Sequence, residues 1–396
     1  MLHLGLTLLL ATPSANLTLA PCGPEMPGAE CGSYTVFENR ATKAGRTIGL
    51  KVVVLRAKGP EKRNDPVFFL AGGPGEAATG LAAGMAQDLA GLLQHHDFVF
   101  VDQRGTGGSH ALSCRLFDPA DPQSALGDFF PLEAVRACRT ELEKDADLTH
   151  YTTSAAMADL DEVRAALGYS TIDLVGGSYG TRAALVYLRE HGEHVRTAFL
   201  QGVVPPSKPV PAHFARDAQR ALDLVLADCA AEAACRGAFP ALASEVKSVL
   251  GGLARGPAEA HILDPVTGEP RTVRLSRDMV DEVLRYLMYN SGTAGLIPVL
   301  IHEVPPGGQI VGSLGTGLYL SITCAEDVPF VDAPAAEAEA HGTFLGDYRL
   351  VQQKRACTLW PRAPVPANFP APVQSNVPVL LFSGQMDPTT PPSNAE

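Results

Sequence analysis

In the first half of the chain, apolar residues gather into short continuous runs rather than strict alternation with polar ones. Positions 49–55 are rich in valine and read as a strand, while 66–70 and 97–101 are compact apolar runs that each close on a glycine cluster. Met157, Leu160, Val163, Ala166 and Leu167 recur at helical spacing, and Gly168 stands where a helix C-cap belongs. A strand is predicted over 171–175, followed at once by Gly176-Gly177-Ser178-Tyr179-Gly180, a helix over about 181–191 and another strand over 195–204. Strands alternating with helices at this spacing predict a mostly parallel sheet with helices on both faces. Runs without polar alternation fit strands buried on both sides.

The pattern changes after position 204. PPSKPVP reads as a linker, and 212–374 is mixed and largely helical, with helical apolar spacing at 222–227 and 279–289 and a hairpin over 264–275. The strand pattern returns at 377–382, followed by SGQMDPTTPP. Roughly 170 residues between consecutive sheet strands far exceed what a crossover needs. The expected organisation is an α/β core over 33–207, a large, mainly helical cap inserted over 208–375, and a return to the core over 376–396. No internal repeat interrupts this order.

Composition narrows the function classes. The 396 residues carry 31 basic against 43 acidic groups, a net charge of −12 that excludes a nucleic-acid binder and docking on anionic lipid. At 46% hydrophobic and 19% charged, the chain can bury a large core. The apolar run over 4–11 is too short to span a bilayer but has the length of a signal-peptide h-region, so 1–20 is expected to be an export signal, with Ala15 or Ala20 before the cleavage site. No other stretch suggests a membrane span. Eight cysteines agree with an oxidising, secreted or periplasmic compartment. They allow 105 pairings. Pairing of sequence neighbours, Cys22 with Cys31, Cys114 with Cys138, Cys229 with Cys235 and Cys324 with Cys357, is the expectation from proximity. No CxxC or Cys/His cluster has zinc spacing.

The candidate chemistry sits where predicted strands end. GGSYG places Ser178 on a sharp strand-to-helix turn, where flanking glycines avoid clashes and the next N–H, that of Tyr179, faces a substrate oxygen. Gly72-Gly73-Pro74-Gly75 can supply the second oxyanion donor, from the Gly73 N–H. It lacks the lysine and hydroxyl residue of a phosphate loop. Asp102 and Arg104 in DQRGTGGS read as groups bracing the loops at the rim. Asp387 follows the 377–382 strand, where a triad acid belongs in the order Ser, acid, His. All eleven histidines, His341 among them, precede Asp387. The expectation is therefore a C-terminally truncated sequence, with the base roughly 25–30 residues past Asp387.

Together these motifs resemble the serine peptidases of the α/β-hydrolase fold of prolyl and tripeptidyl aminopeptidase (TAP-like) type. AGGPG at 71–75, DQRGTGGS at 102–109, ADLDEVRAALG at 158–168, GGSYGT at 176–181, CTLWP at 357–361 and the segment from 377 to 396 match in order. The resemblance implies Ser178 as nucleophile, Asp387 as acid, and Gly73 with Tyr179 as oxyanion hole. It also implies cap carboxylates that bind the substrate's free α-amine, for which Glu326 in ITCAED is the candidate. Ala71 replaces the histidine that prolyl members carry before GGPG, which favours the larger secreted branch. The function expected is a secreted serine exopeptidase acting on peptides with a free N-terminus, requiring no metal or organic cofactor. A carboxylic-ester hydrolase on the same scaffold, or a catalytically incomplete binding protein, are the alternatives.

Overall fold

Short buried runs of valine and phenylalanine form the centre of the sheet in the computed structural model, which describes residues 17–118, 120–264, 267–303 and 315–396. The strands are β1 (Ala20–Pro21), β2 (Ala29–Phe37), β3 (Thr47–Leu55), β4 (Val67–Leu70), β5 (Phe98–Val101), β6 (Ile172–Gly177), β7 (Val195–Gln201), the hairpin pair β8 (Ala258–Leu263) and β9 (Pro270–Leu275), and β10 (Val379–Phe382). Among the described residues the main sheet has eight strands in the order β1-β2-β3-β5-β4-β6-β7-β10. β1, β2, β3 and β5 pair antiparallel in turn, and β5, β4, β6, β7 and β10 run parallel. Every residue of β4 and β5 is buried, as strands covered on both faces require.

Four helices accompany the first seven strands: α1 (Ala82–Asp88), α2 (Leu132–Leu142), α3 (Thr153–Ala166) and α4 (Tyr179–His191). The segment between β7 and β10 holds α5 (Phe214–Ala231), α6 (Ala233–Ala238), α7 (Leu242–Leu253), α8 (Arg277–Leu287), α9 (Ser291–Ala294), α10 (Ile297–Glu303), α11 (Thr316–Glu326), α12 (Ala333–Ala340) and α13 (Tyr348–Cys357). This segment divides between two hydrophobic clusters. Leu222, Val246, Leu250, Leu284 and Phe344 belong to a cluster of their own. Leu318, Ile322, Ala356 and Trp360 join the main core with the sheet and α3 and α4. Helices α11 and α13 are therefore part of the sheet's covering, although a single insertion over 208–375 was the expectation.

Other expectations shift in detail. The hairpin expected over 264–275 begins earlier, because Ala258–Leu263 is its first strand and pairs antiparallel with Pro270–Leu275. β2 carries no strand pattern in the sequence, because its run AECGSYTVF mixes polar and apolar positions. The cysteines pair between sequence neighbours: Cys22–Cys31, Cys114–Cys138, Cys229–Cys235 and Cys324–Cys357. The export signal expected over 1–20 falls mostly outside the described residues; Leu17 and Leu19 pack against the main core and Ala20 pairs with Cys31. No helix among the described residues is long and apolar enough to cross a membrane.

The DQRGTGGS loop braces its neighbours with buried charge. Asp102 accepts from the Thr79 N–H (2.8 Å) and hydroxyl (3.0 Å) and from the Gly108 N–H (2.9 Å). It thereby ties the turn after the AGGPG loop to its own. Arg104 is 1% exposed and grips Asp159 of α3 with two nitrogens, at 2.7 and 2.8 Å. It also donates to the carbonyls of Glu38 and His150 at 2.8 Å. Desolvation outweighs the two arginines facing Asp159 and holds its carboxyl above the ordinary range. Removing one partner of a buried pair strands the other charge. Arg104→Met is accordingly expected to cost about 3 kcal/mol in urea unfolding; a loss under about 1 kcal/mol would show that Arg40, which also reaches Asp159, suffices alone.

Candidate active site

The parallel strands end in register. Leu70 of β4 pairs with Gly176 of β6, Gly177 with Gln201 of β7, and Gln201 with Phe382 of β10. The residues just beyond, from Ala71, Ser178, Gly202 and Ser383 onward, thus gather along one edge of the sheet. Ligands of open α/β sheets bind at this carboxyl edge.

Ser178 stands between β6 and α4 at φ +51° and ψ −123°, a conformation that favours glycine. Its N–H donates to the Gln201 carbonyl (2.9 Å), and its carbonyl accepts from the Thr181 hydroxyl (2.7 Å). These bonds hold the turn while the serine itself remains exposed. The flanking glycines are sterically required. A Cβ on Gly180 would lie 2.0 Å from the Leu70 carbonyl oxygen, and one on Gly176 would lie 2.6 Å from the Gly180 oxygen. The first turn of α4 therefore presses directly on the end of β4.

The AGGPG loop lies against this turn, since a Cβ on Gly72 would sit 3.5 Å from Ser178 Cβ. Glu76 occupies the Gly72 N–H (3.2 Å), leaving Gly73, at φ +105°, as the next donor along the loop. The Tyr179 N–H belongs to the first turn of α4, whose amides have no partner inside the helix. Both proposed oxyanion donors are thus carried by segments flanking Ser178. The Tyr179 side chain is buried, with its hydroxyl 2.8 Å from Thr153 Oγ1.

Asp387 lies on the loop after β10. Its Oδ1 accepts from the N–H groups of Thr389 (2.9 Å) and Thr390 (2.7 Å), and its Oδ2 from the Thr390 hydroxyl (2.6 Å). Its loop adjoins that of β7: a Cβ on Gly202 would stand 3.8 Å from Asp387 Oδ2. The loop is tied to the helical segment as well. Arg220 of α5 donates to the Asp387 carbonyl (2.8 Å), and Thr389 donates to the Tyr289 hydroxyl (2.8 Å). Among the described residues, no histidine nitrogen is hydrogen-bonded to Ser178 or Asp387. His341 is exposed at the end of α12, and His213 pairs with Glu339 (2.7 Å).

Glu326, the candidate amine ligand, is placed differently from that expectation. It is 0% exposed, its Oε1 accepts from the Thr153 N–H (2.7 Å) and its Oε2 from the Thr153 hydroxyl (2.6 Å). Burial pushes its carboxyl up to about 7. A substrate amine would have to displace Thr153 and open the packed core to reach it, so its surroundings are those of a structural carboxyl. Next to it, Asp327 pairs with Arg182 of α4 (2.6 Å), both 1% exposed. These contacts were missed from sequence, although two adjacent acids closing the apolar helix of ITCAED were a signal of buried, partnered carboxylates. The threonines holding Asp387 were also legible, because Asp followed by Thr at the second and third positions is an Asx-type turn.

Comparison with known proteins agrees with this geometry. A family described as alpha/beta hydrolase fold matches residues 65–244, and one described as TAP-like protein matches residues 343–396. The chain is 27% identical to serine protease Hip1 of Mycobacterium tuberculosis (strain ATCC 25618 / H37Rv), over 94% of this chain and 80% of that protein. It is 31% identical to the tripeptidyl aminopeptidase of Streptomyces lividans, over 45% of this chain and 36% of that one. Identity to carboxylesterase B of the same Mycobacterium tuberculosis strain is 34%, over 53% of this chain and 44% of that protein. With the sheet order and the strand–serine–helix turn of its first half, and the TAP-like match of its last residues, the chain belongs to the α/β hydrolases and carries a TAP-like C-terminal segment.

Proposed function

We propose that the protein is an exported serine exopeptidase that removes tripeptides or a terminal proline from peptides with a free N-terminus, through an acyl-enzyme. The observation that carries this reading is the exposed hydroxyl of Ser178, held on a strained turn beside the first N–H groups of α4. The similarity to a serine protease and to a tripeptidyl aminopeptidase supports the peptide substrate. Four disulfides support an oxidising compartment.

In this mechanism Ser178 Oγ attacks the scissile carbonyl and its proton passes to a histidine. The carbonyl oxygen becomes an oxyanion held by the N–H groups of Tyr179 and Gly73. Collapse expels the amine of the shortened peptide, which takes the proton from the histidine; water then cleaves the ester by the same steps in reverse. Asp387, its carboxylate oriented by Thr389 and Thr390, fixes the tautomer of that histidine and stabilises its charged form. In the order Ser, acid, His the base follows the acid, and the assay uses the full-length protein.

The rival is an ester hydrolase, favoured by the similarity to carboxylesterase B. A tripeptidyl p-nitroanilide with a free amine, its acetylated counterpart and a p-nitrophenyl ester separate the two. For the exopeptidase, acetylation is expected to lower kcat/KM at least about 100-fold, because a site that selects a free terminal amine rejects a substrate that lacks it. Equal turnover of the free and blocked anilides, or turnover of the ester alone, would overturn the reading.

A further inference from the structure

The oxyanion donor on Tyr179 hangs on the orientation of one peptide group, set between the strained Ser178 and the close-packed Gly180. The Tyr179 side chain is the handle by which the rest of the protein holds that peptide. Its hydroxyl meets Thr153 Oγ1 at 2.8 Å, and Thr153 gives both its N–H and its hydroxyl proton to Glu326, at 2.7 and 2.6 Å. A threonine hydroxyl has one proton. With that proton on Glu326, the bond to Tyr179 has the phenol as donor, and the chain runs from Tyr179 through Thr153 to Glu326. All three residues are at least 96% buried.

The far end of this chain is a rigid platform. Glu326 closes α11, which is fastened to α13 by the Cys324–Cys357 disulfide. The next residue, Asp327, grips Arg182 one turn along α4 and accepts from the Val210 N–H (2.9 Å). Glu326 also satisfies the first N–H of α3, where Thr153 begins the helix. Two successive acids thus fix the start of α4, one directly and one through Thr153.

We propose that Thr153 and Glu326 are positioning residues for the oxyanion hole: together they hold the Tyr179 ring, and through it aim the Tyr179 N–H at the carbonyl attacked by Ser178. This rests on the serine-hydrolase reading above. Neither residue touches substrate, so their loss misaims a donor without deleting it, and a misplacement well under 1 Å at a reacting centre costs about 10-fold.

The test uses steady-state kinetics and inhibition by a tripeptidyl boronate, whose adduct with the serine places an oxygen in the oxyanion hole. Tyr179→Phe keeps the backbone donor and the buried ring, so the protein folds while the tether is cut. Tyr179→Phe and Thr153→Val are expected to lower kcat about 10-fold with KM within about twofold, and to raise the boronate Ki by the same factor as kcat/KM falls. Thr153→Ser is expected to restore wild-type kcat. Glu326→Gln is also expected to restore it, since the amide can donate to Thr153 Oγ1 and reverse the chain's direction. Thermal melting that falls while kcat and boronate Ki stay within twofold would reduce the chain to a structural brace and overturn the proposal. Absence of any Ser178-dependent turnover in the unmodified protein would overturn the hydrolase reading, and the proposal with it.

Discussion

Ser178→Ala is expected to lower kcat for a free-amine tripeptidyl anilide by about 10⁵-fold while leaving the unfolding free energy within about 0.5 kcal/mol of the parent. The two halves of this result have separate causes. Under the proposed mechanism the hydroxyl oxygen forms the covalent intermediate, and the oxyanion donors and substrate binding alone retain only a residual rate. The stability is indifferent because the side chain is exposed and the turn is held by backbone bonds, the Ser178 N–H to Gln201 and the Thr181 hydroxyl to the Ser178 carbonyl. Ser178→Gly sharpens the point. At φ +51° and ψ −123° any side chain is strained, so glycine is expected to raise stability by about 1 kcal/mol while abolishing turnover equally. A protein that selects serine where glycine is more stable is trading stability for the hydroxyl. If Ser178→Ala retained turnover within about tenfold, the exposed serine would be incidental to the chemistry.

The sheet and this turn were legible in the sequence because their signals are local. A run such as VFFL or FVFV has little alternative but a strand covered on both sides, and GGSYG between a strand and a helix leaves few conformations open. The rest depends on distant partners. Whether Leu318 and Ile322 cover the sheet or a separate unit is decided by what they meet, and their apolar helix, which carries few polar positions, would suit either. Glu326 is an amine-ligand candidate by the family resemblance alone; only the fold shows Thr153, 173 positions away, occupying both its oxygens. β2 lies at the same limit. Its alternation is diluted by Glu30, Gly32 and Ser33, and its pairing with β3 gives those positions their strand conformation.

Within GGSYG the glycines differ in a way that the sequence alone does not reveal, and this yields the second large effect. Gly180→Ala would set a methyl 2.0 Å from the Leu70 carbonyl oxygen and 2.9 Å from that of Ala71. Both obstacles are backbone, so no rotamer change relieves the clash. Either α4 or β4 must move by about 1 Å, and β4 is a central strand with every residue buried. The expected outcome is a loss above about 3 kcal/mol in urea unfolding and, for protein that still folds, a fall of about 100-fold in kcat, because the displaced helix carries the Tyr179 N–H away from Ser178. Gly177→Ala is the internal control. Its Cβ would meet nothing within 4 Å, and its φ lies outside the left-handed region, so stability is expected to stay within about 0.5 kcal/mol. Equal stability of the two variants would mean that α4 can ride up over β4 at little cost. The strained turn would then lack the steric frame that holds Ser178 at the edge of the sheet.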